Sequence, residues 1–329
     1  MSPPSHPRNY PPSASLAILA ARSELLRNLR EFFHARDFVE VETPLVSPEV
    51  IPELHIEPMT LGDSPLGDSW YLQASPELYM KRLLAAGARA IFQVTRSFRA
   101  GERGRLHNPE FTIVEWYRVG DDMRAGIDLL DQLTHTLLGT PPATRTTYAE
   151  AFERHAGLCP HTASVPALVA AATMDIAPPP DMDQASRDQW LNLLLATRIE
   201  PHLGRDRPEI VYHYPASQAS LAKVVTSDHG YDVAERFELY YRGVELANGF
   251  HELTDAVELR GRLDAVNAAR VADNRPALPL PESLLAAIER GLPQCAGCAL
   301  GIDRLVMLAV GASGISDVMT LSPNLGPTG

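Results

Sequence analysis

From Leu16 the apolar positions fall at helical spacing: Ile18, Leu19, Leu25, Leu26, Leu29, Phe32 and Phe33 predict one long amphipathic helix. The period then shortens. In "DFVEVETPLV" (37–46), Phe38 lies on one side and Val39 and Val41 on the other, as in a strand that Pro44 ends or edges. "WYLQASPELYMKRLLAAG" (70–87) reads as a strand, a turn at Ser75-Pro76 and a helix with Pro76 near its start. "AIFQVTRSFRAGERGRLHNPEFTIVEWYRV" (90–119) predicts a long hairpin with a polar, glycine-containing loop. "GTPPATRT" (139–146) and "APPPDMD" (177–183) are loop signals around an alanine-rich stretch, which suggests a small helical insertion over about 139–205. Strand character returns in "RPEIVYHYPASQASLAK" (207–223) and "RFELYYRGVELANGF". Helices are predicted around 255–273 and 281–291, and "GCALGIDRLVMLAVG" (297–311) reads as a strand entering a helix. Hairpins flanked by helices, without βαβ alternation, predict an α+β fold on an antiparallel sheet.

Composition narrows the possibilities. The 329 residues are 45% hydrophobic and 21% charged, as in a globular chain, and the net charge of −12 argues against sequence-independent nucleic-acid binding. Residues 1–15, "MSPPSHPRNYPPSAS", read as a disordered tail with no signal-peptide core. No apolar run reaches membrane-spanning length, and the three cysteines, Cys159, Cys295 and Cys298, cannot all pair. A cytoplasmic protein is expected. Cys295-Ala-Gly-Cys298 lacks the further ligands a zinc site needs and reads as two ordinary buried cysteines.

Four stretches carry candidate chemistry. On the hairpin, period two puts Phe111, Ile113, Glu115 and Tyr117 on one face, below a loop with Arg99, Arg103, Arg105, His107 and Asn108. Such a face suits a pocket better than a core, though alone the loop fits an exposed, solvated hairpin equally well. Glu77 at a helix start is favoured by the dipole alone, and Arg304 beside Gly301 fits a buried strand with a capping arginine. "GVELANGFHELTD" (243–255) sets Glu245 and Glu252 around Asn248-Gly249, a strong turn signal.

In order and spacing, "DFVEVETP", "FRAGERGRLHNPEFTIVEWY", "GVELANGFHELTD" and "GCALGIDRL" resemble the motifs of class II aminoacyl-tRNA synthetases of the lysyl type, over about residues 16–320. "YHYPASQASLAK" and "SPELYMKRLLAAG" resemble the free-standing paralogues that lysylate elongation factor P and lack the anticodon-binding barrel. The resemblance implies a synthetase-like catalytic domain over 16–325 and a homodimer. It implies activation of (R)-β-lysine or lysine with ATP and Mg2+, then transfer to a lysine of elongation factor P rather than to tRNA. Arg99 and Arg304 would be catalytic, at the α- and distal phosphates. The ATP site would comprise Arg99, His107, Asn108, Phe111 (stacked on adenine), Glu245, Leu246, Gly301 and Arg304. The substrate pocket would comprise Ser75, Pro76, Glu77, Glu115, Tyr117, Asn248, Phe250, Glu252 and Ala299. Glu245 and Glu252 would hold magnesium, brought together by a strand end and the turn after it. The chain departs from the pattern at Gly101, where the family carries an adenine-contacting glutamate, with Glu102 next, and at Ala299, where the synthetases carry glycine. A minimal lysine–tRNA ligase and a catalytically silent, adenylate-binding regulatory paralogue are the alternatives.

Overall fold

Ser15 opens the first element. Its hydroxyl accepts the Ile18 amide and caps α1 (Leu16–His34), whose buried stripe is Leu25, Leu29, Phe32 and Phe33. The computed structural model describes residues 12–62, 70–174, 182 and 186–322, so the expected tail up to residue 11, the domain end beyond 322 and, except for Met182, the loop at 177–183 lie outside it. The strand predicted over 37–46 is split. β1 (Val39–Glu40) runs parallel to β5 (Ala90–Phe98), and β2 (Val46–Ser47) joins β3 (Met59–Leu61) and β4 (Trp70–Leu72) in a small separate sheet, with Pro44 in the unpaired gap.

The remaining elements follow the predicted pattern closely. Pro76 stands just before α2 (Glu77–Ala85), and β5 and β6 (Glu110–Val119) form the long hairpin. After α3 (Met123–Leu138), the stretch expected as a helical insertion holds α4 (Tyr148–Ala156), α5 (Val165–Thr173) and α6 (Arg187–Leu194), but begins with β7 (Thr144–Thr147). β7 lies parallel to β8 (Glu209–Pro215), so this stretch is stitched into the main sheet. β9 (Val224–Thr226), β10 (Asp232–Tyr241) and β11 (Val244–His251) come next, then α7 (Ala256–Ala272), α8 (Glu282–Glu289), β12 (Cys295–Gly301) and α9 (Ile302–Val310). Among the described residues the main sheet runs β1-β5-β6-β12-β11-β10-β8-β7, with β9 on β10, and every pair except β1–β5 and β7–β8 is antiparallel. No helix among the described residues is long and apolar enough to cross a membrane.

One expectation is overturned. Asn248-Gly249 does not turn: β11 runs straight through it, and the hairpin turn lies at Arg242-Gly243, both at positive φ. Gly249 is demanded by packing instead, because a Cβ there would overlap the Phe237 ring.

Alternation divides the sheet. Phe92, Trp116, Phe237, Leu300 and Cys298 face α1, α3 and α9 in one core. Their neighbours Ile91, Tyr117 and Cys295 face α2, α7 and α8 at one end of the opposite side, while Val211, Tyr214 and Tyr240 face α4 and α6 at the other. Between these two clusters the sheet floors a cleft of about 1040 Å³.

Candidate active site

Two cross-strand rows make the cleft floor. Glu115, Ala299, Asn248 and Glu238 pair successively across β6, β12, β11 and β10; beside them run Tyr117, Gly297, Phe250 and Arg236. The middle strand supplies only alanine and glycine, so large side chains from both flanks lean over it. A Cβ on Gly297 would overlap the Tyr117 ring and sit 2.6 Å from Glu252 Oε1. Gly297→Ala should therefore push Tyr117 and Glu252 aside and cost far more activity than stability, which steady-state kinetics beside thermal melting would read. A variant with normal kinetics would show that the close approach is unimportant.

One end of the cleft is acidic. Tyr117 donates its hydroxyl to Glu115 Oε1 at 2.6 Å, and Ser75 donates to Glu115 Oε2 at 2.7 Å. Ser75 Oγ also accepts the Glu77 amide at 3.0 Å, so the Ser75-Pro76 turn sets both the helix start and the Glu115 carboxylate. Lys81, one helical turn beyond Glu77, is 1% exposed and pairs with Glu77 Oε1 at 2.5 Å and Glu252 Oε2 at 2.6 Å. Burial, and then Glu77, push the Glu115 carboxyl up to about 7. Burial raises Glu252 to about 8 although Lys81 pulls it down.

The other end gathers arginines. Arg304 on α9 donates to the Leu106 carbonyl at 3.2 Å and the Glu245 carbonyl at 2.9 Å, and stands 3.4 Å from Glu245 Oε2. Its Nη2 lies 2.8 Å from His107 Nε2, which must accept there, and burial and then Arg304 lower the His107 pKa accordingly. Arg99 lies 5.0 Å above the Phe111 ring and 3.5 Å from Glu102, while its Nε is buried without a hydrogen-bond partner. Asn108 turns its amide onto the Glu110 carbonyl at 2.5 Å. Asp303 ties the α9 start to β6 by accepting the Thr112 amide at 2.7 Å and pairing with Arg22 at 2.7 Å.

How Glu245 reaches this face is a matter of register. Pairing with β10 steps from Leu239↔Ala247 to Tyr240↔Glu245, so Leu246 is an extra residue, a β-bulge. Strict alternation would put Glu245 and Glu252, seven apart, on opposite faces; the bulge returns Glu245 to the cleft beside Asn248. Leu246 itself is 2% exposed in the core behind the sheet, so only its backbone can serve the cleft. The magnesium site expected from Glu245 and Glu252 together is corrected by the same geometry. They stand at opposite ends of an extended strand, roughly 20 Å apart at the usual rise. One ion with ligands ~2.1 Å away cannot bridge them. Glu245 instead neighbours Glu238, which after burial is the larger cause raising its pKa, and Glu252 belongs to the acidic end.

This arrangement has counterparts. The family model described as tRNA synthetases class II (D, K and N) matches residues 12–324. The chain belongs to the class II aminoacyl-tRNA synthetase family. It is 46% identical to proteins named elongation factor P–(R)-beta-lysine ligase from Salmonella dublin, Salmonella paratyphi B and Salmonella heidelberg, over 95% of this chain and 97% of each relative.

Within this class II synthetase scaffold, Gly101 sits at φ 77°, a left-handed turn from which Glu102 lines the cleft and meets Arg99. Ala299 lies between Glu115 and Asn248 in the floor, and Gly301 begins α9 at the cleft edge. Sequence reasoning missed Lys81, Arg236 and Glu238. Glu238 accepts from the Tyr214 and Tyr240 hydroxyls and from Arg236, each at 2.5 Å. The Glu77–Lys81 spacing was visible as an i,i+4 pair; nothing local marked the other two. Cys295 and Cys298 face opposite sides of the sheet, which excludes a disulfide between them.

Proposed function

We propose that this protein activates (R)-β-lysine, or lysine, with ATP and transfers the acyl group to a lysine side chain of elongation factor P. The observation that carries the reading is the charge balance at the acidic end. Three carboxylates, Glu77, Glu115 and Glu252, face one buried ammonium, Lys81, and so fall two positive charges short. A diamino acid brings two ammonium groups. In the free protein protons make up part of the deficit, as the raised Glu115 and Glu252 values require. The ligase names of the relatives support the same substrate and acceptor.

Seated there, the substrate directs its carboxylate toward the arginine end. That carboxylate attacks the α-phosphorus of ATP, an aminoacyl-adenylate forms and pyrophosphate leaves. Arg99, with a buried Nε lacking a partner, is suited to the α-phosphate, and Arg304 to the distal phosphates once it exchanges its carbonyl contacts. Phe111 offers its face to adenine, with His107 and Asn108 beside it. In the second step the acceptor amine attacks the acyl carbon, loses its proton and expels AMP. Glu245 and the unpartnered Asn248 Oδ1 are hard oxygen donors on one face, which fits magnesium shared with phosphate oxygens; when bound it would neutralise charge on the leaving pyrophosphate. Residues 16–325 would form one catalytic domain, with 139–205 inserted. It would work as a cytoplasmic homodimer.

β-Lysine binding should tighten as pH rises from about 6 through about 8, because the carboxylates that receive it lose protons over that range. Calorimetry in buffers of different ionisation enthalpy should show net proton release at neutral pH, and proton-neutral binding would contradict it. The sign for stability is opposite. Carboxyls raised above their ordinary 4.5 stabilise the free fold below that value, and the contribution is lost as pH climbs through about 7 to 8.

The deciding experiment offers labelled β-lysine, ATP and magnesium to the protein with elongation factor P and lysine tRNA together. Label on elongation factor P supports the reading. Label on tRNA alone would make the protein a minimal lysine–tRNA ligase, and no label with no pyrophosphate exchange would make it a silent paralogue.

A further inference from the structure

We infer that Lys81 is a positioning residue: its ammonium holds Glu77 and Glu252 aimed into the pocket and fixes how much positive charge the substrate must bring. This rests on the reading of the acidic end as an ammonium pocket. A Glu–Lys pair one turn apart is ordinarily a surface feature worth a few tenths of a kcal/mol. Here the lysine is 1% exposed, and its second partner comes from a different element, just beyond β11. The isolated bridge Ala222↔Glu252 and the Glu252 amide bonded to the Cys295 carbonyl at 3.0 Å fix the Glu252 backbone; Lys81 fixes its carboxylate. The charged and titratable groups around the ammonium are Glu77 on its own helix, Glu252 after β11, Glu115 and Tyr117 on β6, and Cys295 on β12. All the others are acids. Without the ammonium their mutual repulsion is relieved only by protonation, and a protonated Glu252 has no attraction for a substrate ammonium.

The chemistry separates this role from that of a spacer. A spacer can be replaced at constant cost across pH. A charge-setting lysine cannot. Lys81→Gln keeps hydrogen-bond donors while removing the charge. Its KM for β-lysine in pyrophosphate exchange should rise at least ~10-fold at about pH 7, which is what one further unit of upward carboxyl shift produces. The difference should narrow or reverse by about pH 9, with kcat changed much less. An unchanged KM at neutral pH, or an equal rise at every pH, would overturn the inference.

The second measurement uses no substrate. The thermal midpoint of free Lys81→Gln should keep falling to higher pH than that of the wild-type protein, because its carboxyls hold their protons longer. If the wild-type protein fails to activate β-lysine while this displacement is seen, the proposed function fails and the positioning role stands; coincident profiles would overturn the role. Should the glutamine variant not fold, Lys81→Arg gives the opposite contrast, with charge kept and shape altered. Its thermal midpoint should stop falling at the same pH as that of the wild-type protein, and a displaced profile would overturn the inference.

Discussion

Glu252→Gln should lower β-lysine-dependent pyrophosphate exchange by about 100- to 1000-fold. Glu252 is buried and paired with Lys81 at 2.6 Å, so the amide removes a buried charge partner and leaves the lysine with Glu77 alone. Truncating one partner of a buried charge pair between a protein and what it binds costs about 2–5 kcal/mol of affinity, and each 1.4 kcal/mol is about tenfold in an equilibrium or rate. The shape is nearly unchanged, so the loss should fall on substrate binding rather than on folding, with the Kd for ATP close to that of the wild-type protein. Near-normal exchange would show that the ammonium pocket has been put at the wrong end of the cleft.

Arg99→Ala should produce a loss of similar size in a different constant. Arg99 lines the arginine end with a buried donor that has no partner in the free protein, and it lies over the Phe111 ring at 5.0 Å. A donor aimed at charge that develops only in the transition state contributes about 100- to 1000-fold to kcat. The KM for β-lysine should move little, because the carboxylates that hold the ammonium groups are at the other end. A large rise in that KM with kcat preserved would assign Arg99 to substrate binding and undo the division of the cleft into two ends.

Much of this architecture is written in local sequence. The Leu16–Phe33 stripe, the β5–β6 hairpin and the Phe111–Tyr117 face follow from periodicity, because each is a regular element with one buried side. What escaped depends on contacts between distant elements. Asn248-Gly249 has the composition of a turn, yet the Phe237 ring from β10 claims the space above Gly249, and β11 stays extended. A helical lysine four residues after a glutamate reads as a surface pair until Glu252 arrives to bury it. Glu238 and Arg236 look like ordinary strand residues until the register of β10 against β11 sets them in the cleft floor. The expectation that Glu245 and Glu252 share one magnesium does not suit an extended β11, because the count of seven residues says nothing about whether the chain between is turned or straight.

The surplus residue at Leu246 has a wider consequence. A strand writes its side chains in a two-beat rhythm, and this one holds an extra beat between the half at the arginine end of the cleft and the half at its acidic end. Were that leucine kept but the bulge flattened into regular pairing, Glu245 would swing into the hydrocarbon interior beneath the sheet, while Asn248, Phe250 and Glu252 kept their places; excising the leucine would leave Glu245 opposite Tyr240 and in the cleft. The two ends of the cleft are therefore kept in phase by the bulge that absorbs this residue, whose own side chain touches neither of them.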